Sequence, residues 1–310
     1  MSRRRCGKTP DTHRFKTVGS AQLSLDVYPV AAAKSPVLLC LHGGGLIAGS
    51  RGDISGPDGP GLLRQLCAEA GFTPVSIDYR LAPETRLPAI FDDISDAWAW
   101  IHKELPSLYD VDVERIAVLG RSAGGLLALL CGIRLDPRPR AVVSLYGYGD
   151  LLAAWCHQPD PYYNKQAAID GAVARRIADT AATESTPEAP RIPLYFYLRQ
   201  QGSWVREITG MDPSRDYDRL VRLCPVRNID DDFPPTLLLH GTADTDVPYY
   251  ASVEMMHALE SRGLRAELIS IPGAGHVFDR AVTSADLSAP APSDAARSFH
   301  DIVAFLQRYV

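Results

Sequence analysis

The chain has 310 residues, of which 46% are hydrophobic, and carries 32 basic against 37 acidic side chains for a net charge of −5. This composition suits one large domain with a sizeable buried core, and the acidic balance argues against nucleic acid as the main partner. No apolar run reaches the ~18 residues that a membrane span requires. The six cysteines are dispersed, and no signal peptide is apparent, so we expect a cytoplasmic protein.

Predicted strands and helices alternate along most of the chain. Residues 21–28 alternate apolar and polar side chains, which predicts an antiparallel edge strand. Apolar runs bounded by turn residues predict buried strands over 37–41, 72–77, 115–119, 141–145, 236–239 and 266–271. Helical patterns follow at 61–70, 90–105, 123–135, 249–262 and 293–310. This alternation predicts a mostly parallel sheet with helices on both faces, which binds ligands beyond the carboxyl ends of its strands.

Residues 148–232 interrupt the alternation. They hold one helical pattern over 164–180, a Thr/Glu/Pro-rich link over 183–190 and many aromatics, but no strand run of core type. Such a length predicts an inserted cap or lid, so the core comprises 1–147 and 233–310 and the cap 148–232. The cap aromatics are candidates for an apolar pocket or for the cap's own small core; they are Trp155, Tyr162, Tyr163, Tyr195, Phe196, Tyr197 and Trp204.

A G-x-S-x-G pattern, Gly120-Arg121-Ser122-Ala123-Gly124, follows the predicted strand 115–119 and opens the predicted helix 123–135. A strand–serine–helix turn presents a serine nucleophile, and its glycines leave room for a tight turn. The alternative interpretation is a serine in an ordinary glycine-rich turn. Other segments of the chain favour the nucleophile.

The first of these segments is His42-Gly43-Gly44-Gly45, directly after the predicted strand 37–41. Three glycines expose backbone N–H groups that can stabilise a developing oxyanion. A phosphate-binding loop would require a Lys-Ser/Thr pair or a third spaced glycine, and neither follows. We therefore interpret the segment as an oxyanion loop.

Two late loops carry a candidate acid and a candidate base. Asp244 and Asp246 follow the predicted strand 236–239, and Asp244 is favoured as the acid that orients a histidine because it comes first on the loop. Asp246 is expected to be a surface or helix-start carboxylate. His276 follows Gly273-Ala274-Gly275, a setting that no other of the eight histidines has. His240 ends a strand and is expected to be structural, and no histidine pair has metal-site spacing.

The order Ser122, Asp244, His276 is that of α/β-hydrolases. With the HGGG loop, the elbow and the segment Asp78-Tyr79-Arg80-Leu81-Ala82-Pro83-Glu84, the chain resembles the hormone-sensitive-lipase-like esterases of that superfamily over roughly 38–278. The resemblance implies an α/β-hydrolase fold with a lid, and an oxyanion hole formed by Gly44, Gly45 and Ala123. It departs from many such esterases in its acid loop and in Leu46-Ile47, which replace the usual aromatic residue after the glycines.

The expected function is hydrolysis of small to medium carboxylic esters through a Ser-His-Asp triad and an acyl-enzyme, with no metal or organic cofactor. Leu46, Trp155, Tyr195 and Trp204 are the candidate pocket residues, while Arg199 and Arg206 are expected to be solvated or paired surface charges. A thioester, a lactone, an aryl formamide or a peptide remains an alternative substrate, and the acyl group could be tethered to a carrier protein. A ligand receptor and a non-catalytic interaction domain are the non-enzyme alternatives, and a homodimer is compatible with the sequence.

Overall fold

Eight strands form one sheet in the computed structural model, which describes residues 9–179 and 188–310. The strands are β1 Asp11–Val18, β2 Ala21–Val27, β3 Ser35–Leu41, β4 Thr73–Ile77, β5 Val111–Arg121, β6 Ala141–Leu145, β7 Thr236–Gly241 and β8 Ala266–Ile271. Their order across the sheet is β1-β2-β4-β3-β5-β6-β7-β8. β3 to β8 are parallel, and β1 and β2 are antiparallel additions beside β4.

The helices of the described residues lie between and beyond these strands. They are α1 Pro60–Glu69, α2 Leu87–Leu108, α3 Ala123–Arg134, α4 Ala154–His157, α5 Gly171–Asp179, α6 Glu188–Gln201, α7 Trp204–Thr209, α8 Tyr217–Val221, α9 Tyr250–Glu260, α10 Ser284–Leu287 and α11 Asp294–Tyr309. Short 3-10 turns occupy Arg51–Ile54, Tyr163–Lys165, Pro225–Arg227 and Phe278–Ala281. Within the described ranges, no helix is long and apolar enough to cross a bilayer.

Both faces of the sheet are buried, which explains why the central strands read as continuous apolar runs. Successive side chains of a strand point to opposite faces, so Leu39 packs in one core with α2, α3 and α9, while Leu38 packs in the other with α1 and α11. Each fully buried leucine or phenylalanine contributes roughly 1.5–3 kcal/mol. The predicted mostly parallel sheet with helices on both faces is therefore present.

The first strand is where the sequence prediction of the sheet was wrong. Residues 21–28 were expected to form the edge strand, but β1 lies outside β2 and forms the edge itself. β1 was not predicted because most of its side chains are polar and none is fully buried, as is common for natural edge strands. Alternating apolar and polar side chains therefore do not distinguish an edge strand from the strand next to it.

Five short helices, α4 to α8, and no strand occur in the described part of the segment 148–232, which we call the cap segment. The helix predicted over 164–180 begins later, at Gly171, after the 3-10 turn Tyr163–Lys165. Of the link predicted over 183–190, residues 188–190 belong to α6, and 183–187 lie outside the described residues. The division of the chain into core and cap remains a prediction.

Glycine at position 120 is required by a backbone contact. An added Cβ would stand 1.9 Å from the carbonyl oxygen of Gly124. Gly120→Ala should therefore lower the free energy of unfolding by about 1–3 kcal/mol or more, the usual cost of overpacking. Urea unfolding measures this, with Gly56→Ala as control, because a Cβ there meets no atom within 4 Å. Equal effects of the two substitutions would contradict the contact.

Candidate active site

Ser122 lies in a sharp turn between β5 and α3, at the carboxyl edge of the sheet. Its backbone adopts φ 54° and ψ −120°, a conformation that costs a non-glycine residue roughly 1–3 kcal/mol and is typical of functional sites. The Ser122 N–H donates to the carbonyl of Leu145 at 2.9 Å, which fixes the turn to β6. The side chain is thereby presented above the strand ends.

The glycine loop after β3 packs directly against this turn. A Cβ on Gly43 would lie 3.3 Å from the Ser122 Cβ, and one on Gly124 would lie 2.3 Å from the carbonyl oxygen of Leu41. Gly44 and Gly45 have φ of 95° and 64°, the left-handed region that favours glycine. Only glycines allow the two backbones to come this close.

Ser122, His276 and Asp244 are brought together by the ends of β5, β8 and β7. The Ser122 hydroxyl donates to His276 Nε2 at 2.9 Å, and His276 Nδ1–H donates to Asp244 Oδ2 at 2.7 Å. Asp244 Oδ1 accepts from the backbone N–H groups of Asp246 and Val247 at 2.9 and 3.0 Å. The loop after β7 thus fixes the orientation of a fully buried carboxylate.

His240 supports the same carboxylate from β7. Its Nε2 lies 3.1 Å from Asp244 Oδ2 and 2.9 Å from the Val247 carbonyl, and its Nδ1 lies 2.7 Å from Ser252 Oγ. Burial alone would raise the pKa of Asp244, but hydrogen bonds from His240 and His276 outweigh it and hold the pKa below its ordinary value. His240 is therefore a hydrogen-bonded structural histidine, as its position predicts, and Asp244 stays ionised.

Asp246 is not the surface or helix-start carboxylate that its position in the sequence predicts. Its side chain is 14% exposed, and its Oδ2 lies 3.5 Å from His276 Nε2. Its Oδ1 accepts from the Tyr195 hydroxyl at 2.7 Å and from Arg199 Nη1 at 2.9 Å. Asp246 is drawn inward because α6 supplies these donors, Arg199 and Tyr195, which lie 47 and 51 residues away in sequence.

Arg199 is also buried, which corrects its assignment as a surface charge. Its side chain is 1% exposed and pairs with Asp160 as well as Asp246. Four cap rings surround its guanidinium carbon at 5.1–5.8 Å between that carbon and the ring centroids; they belong to Trp155, Tyr163, Tyr195 and Trp204. Such cation–π contacts strengthen when they are desolvated. Arg206, by contrast, forms the expected exposed pair with Asp212.

His276 is also contacted by Tyr146, whose ring lies edge-on at 4.7 Å between centroids. The Tyr146 hydroxyl donates to Asp279 Oδ1 at 2.6 Å. Burial lowers the pKa of His276, but the charge of Asp246 and the hydrogen bond to Asp244 outweigh it, so that its pKa lies above the ordinary value. Tyr146 and Asp279 were not singled out from the sequence, because neither belongs to a recognisable motif.

A cavity of about 290 Å³ opens beside Ser122. The cap segment contributes an aromatic and aliphatic wall of Tyr163, Ile192, Tyr195 and Phe196; the core contributes Gly43, Gly44, Gly45, Asp53, Arg121, Ser122, Tyr146, Asp246, His276, Val277 and Arg280. Of the four named pocket residues Leu46, Trp155, Tyr195 and Trp204, Tyr195 belongs to this lining, and Tyr163 and Phe196 join it from the wider set of cap aromatics. The described residues contain no cluster of His, Cys, Asp or Glu suited to hold a metal.

Leu46, Trp155 and Trp204 support the cavity from behind, which corrects their placement in its lining. Leu46 is fully buried in the core. Trp204 donates its indole N–H to the Gly45 carbonyl at 2.9 Å. Trp155 stacks with Trp204 at 6.1 Å between ring centroids. Hydrophobic type alone cannot distinguish a pocket wall from the layer beneath it.

The segment from Tyr79 to Glu84 supports the glycine loop. The Tyr79 ring stacks on His42 at 4.0 Å between centroids, and its hydroxyl donates to the His42 carbonyl at 2.7 Å. Glu84 pairs with Arg191 of α6 at 2.9 Å, and the same arginine donates to the Ile47 carbonyl at 2.6 Å. The loop is thus held from the core and from the cap segment together.

Comparison with known proteins places this geometry in a family. A family model described as alpha/beta hydrolase fold matches residues 38–280. Solved structures similar to the chain include an alpha/beta hydrolase superfamily protein from Enterococcus faecalis, with a TM-score of 0.74 and 22% identity over 97% of this chain and all of the other. Carboxyl esterase 2 from Tuber melanosporum gives a TM-score of 0.66 and 22% identity over 97% of this chain and 86% of that protein.

Curated relatives are larger proteins. The non-reducing polyketide synthase pkbA from Emericella nidulans is 30% identical over 86% of this chain, and 5-methylorsellinic acid synthase from Aspergillus terreus is 30% identical over 87%. The chain spans only 13% and 12% of their lengths. The family match covers most of the chain and includes the serine turn, the glycine loop and both late loops. The chain belongs to the α/β-hydrolase family and has its fold.

Proposed function

We propose that this α/β-hydrolase is a serine esterase that cleaves carboxylic esters through an acyl-enzyme. The observation that carries the proposal is the connected pair of hydrogen bonds from Ser122 to His276 and from His276 to Asp244, at 2.9 and 2.7 Å. This is the arrangement that activates a serine hydroxyl. The esterases among the similar solved structures support the same class of reaction.

The proposed reaction begins when Ser122 Oγ attacks the ester carbonyl carbon and His276 Nε2 takes the hydroxyl proton. Asp244 keeps Nδ1 protonated and stabilises the imidazolium that forms. His276 then gives its proton to the leaving alkoxide, and the Ser122 acyl ester remains. In the second half, His276 activates water, which releases the carboxylic acid and restores the serine.

The N–H groups of Gly44, Gly45 and Ala123 are the proposed oxyanion hole. The first two belong to the loop that packs on the serine turn, and the third is the first N–H of α3. The first N–H groups of a helix have no partner within it, so that of Ala123 is free to bind the oxyanion. Each well-placed donor of this kind contributes roughly 3–4 kcal/mol to the transition state.

The substrate proposal follows from the shape and lining of the cavity. About 290 Å³ suits an acyl group of small to medium size, and its cap wall is largely aromatic. A similar solved structure, esterase Est2 from Thermogutta terrifontis, has butyrate bound. We propose short to medium acyl esters as substrates.

The nucleophile and the acid are tested by two substitutions. Ser122→Ala should lower hydrolysis of p-nitrophenyl esters by about 10⁴-fold or more and abolish labelling by a fluorophosphonate. Asp244→Asn should lower kcat by about 10⁴-fold, because the imidazole loses its orienting acceptor. Intact mass and steady-state kinetics measure both. Wild-type protein that neither turns over esters nor takes a single adduct on Ser122 would contradict the proposed function and favour a ligand receptor or an interaction domain.

The oxyanion loop is tested through its support. Trp204→Phe removes the hydrogen bond to the Gly45 carbonyl and leaves that buried acceptor unpaired. We expect kcat to fall roughly tenfold with KM little changed, because the donors act chiefly on the transition state. Trp98→Phe is the matched control, since the indole N–H of this buried tryptophan has no partner in the described structure. Equal losses would show that the ring and not the bond matters.

Thioester cleavage is the second candidate function. It is favoured by the curated relatives, which are polyketide synthases, and by a mechanism that accepts either leaving atom. An acyl chain delivered by a carrier protein would fit this alternative.

A matched pair of substrates distinguishes the two functions. The N-acetylcysteamine thioester and the N-acetylethanolamine ester of one acyl group differ in a single atom. After division by their hydroxide-catalysed rates, a thioesterase should give a kcat/KM at least roughly tenfold higher for the thioester, a difference of about 1.4 kcal/mol in the transition state. A corrected ratio at or below one would leave the ester as the substrate.

A further inference from the structure

Asp53 and Asp246 both line the cavity, and the Ser122–His276–Asp244 reaction uses neither of these carboxylates. Asp246 Oδ2 lies 3.5 Å from His276 Nε2, the nitrogen that faces Ser122. Asp246 itself belongs to the cavity lining. An additional negative charge thus stands beside the nitrogen that carries the proton in the reaction.

Asp246 is held in place by donors from α6. Its Oδ1 accepts from Tyr195 at 2.7 Å and from Arg199 at 2.9 Å, and Arg199 Nη2 also donates to the Asp246 carbonyl at 3.1 Å. Arg199 is further paired with Asp160. If the Asp246 carboxylate moved away, the buried guanidinium of Arg199 would lose one of its two ion-pair partners in the described structure, which is costly.

The interaction between Asp246 and His276 depends on the protonation state. In the resting site, Nε2 carries a lone pair that accepts from Ser122, and a neighbouring carboxylate oxygen gains nothing from it. When Ser122 attacks, Nε2 gains a proton and the ring becomes positive. The carboxylate then attracts the ring, so that the interaction is stronger in the transition state than in the ground state, as catalysis requires.

We propose that Asp246 is a second electrostatic partner of His276, which stabilises the imidazolium formed during serine attack, and that Arg199 and Tyr195 are the positioning residues that hold it. The inference rests on the proposed serine esterase function and assigns a role to a residue outside the triad. Asp244 acts on Nδ1, and Asp246 acts on the opposite side of the ring, at Nε2.

The attraction between Asp246 and protonated His276 also affects the pKa of His276 in the free enzyme. Carboxylates face His276 from the loop after β7, which carries Asp244 and Asp246, and from the 3-10 turn that follows the histidine, which carries Asp279. Arg280 of that turn and Tyr146 at the end of β6 also line the site. Arg121 of β5 pairs with Asp279, and Arg199 of α6 pairs with Asp246. The carboxylates prevail, and the pKa of His276 lies above its ordinary value of 6.5. Only neutral His276 takes the serine proton, so activity is lost as the pH falls through this raised pKa.

Asp246→Asn tests the proposal because the amide keeps the shape and removes the charge. The acid limb of kcat/KM should move to lower pH by roughly one unit, and kcat on the plateau should fall roughly tenfold, since one pKa unit is a tenfold change in equilibrium. Asp160→Asn is the matched control: it removes the other carboxylate of Arg199, leaves Asp246 in place, and should not move the acid limb.

The outcomes separate the possible failures. An Asp246→Asn variant with lower turnover and an unmoved acid limb would reduce Asp246 to a structural role, as would equal shifts in both variants. If Asp246→Asn does not fold, Asp246→Asn combined with Arg199→Met removes both charges and should move the acid limb in the same direction by a smaller amount, because the loss of the Arg199 cation partly offsets the loss of the carboxylate. A wild-type enzyme without ester turnover and without a Ser122 adduct would instead overturn the proposed function itself.

Discussion

Backbone-to-backbone contact between the serine turn and the glycine loop is the constraint on which the site depends. Gly43 of the loop after β3 lies against Arg121 and Ser122, and Gly124 of the turn after β5 lies against the carbonyl groups of Leu41 and His42. β3 and β5 are adjacent parallel strands, so both loops emerge at the same edge of the sheet. The sheet thus places the two loops side by side, and the glycines, which lack a Cβ, allow their backbones to touch.

Helix α6 of the cap segment adds a second constraint. Arg191 reaches the carbonyl of Ile47 beside the glycine loop, while Arg199 reaches Asp246 beside the histidine. Both guanidinium groups are nearly fully buried and paired with carboxylates. Buried ion pairs are weak contributors to stability but costly to break, so they fix one arrangement of helix and loops. The cap segment therefore holds the loops in place as well as lining one wall of the cavity.

Local sequence patterns predicted those features of the site that depend on neighbouring residues in the chain. The strand runs, the glycines and the histidine loop predicted where Ser122, Asp244 and His276 would emerge, because parallel strands place their ends together. Contacts between distant segments were not predictable in this way. Asp246 is drawn inward by Tyr195 and Arg199, and Trp204 lies behind Tyr195 because its indole finds a carbonyl of the glycine loop. The sequence pattern of the cap segment does not indicate which distant residues these side chains contact. β1 was not predicted for a different reason: an edge strand needs little apolar surface.

Residues of α6 have two roles: some hold the neighbouring loops in place, and some line the cavity. Arg191, Tyr195 and Arg199 recur every four residues and so share one face of the helix, the face that anchors the loops. Ile192 and Phe196 lie one residue further along, and they line the cavity beside Tyr195 but make none of these polar side-chain contacts. Substitutions at these two positions can therefore change the shape of the cavity while the helix keeps its attachment to the loops. Apart from Tyr195, which does both, different residues of this single helix shape the cavity and hold the loops.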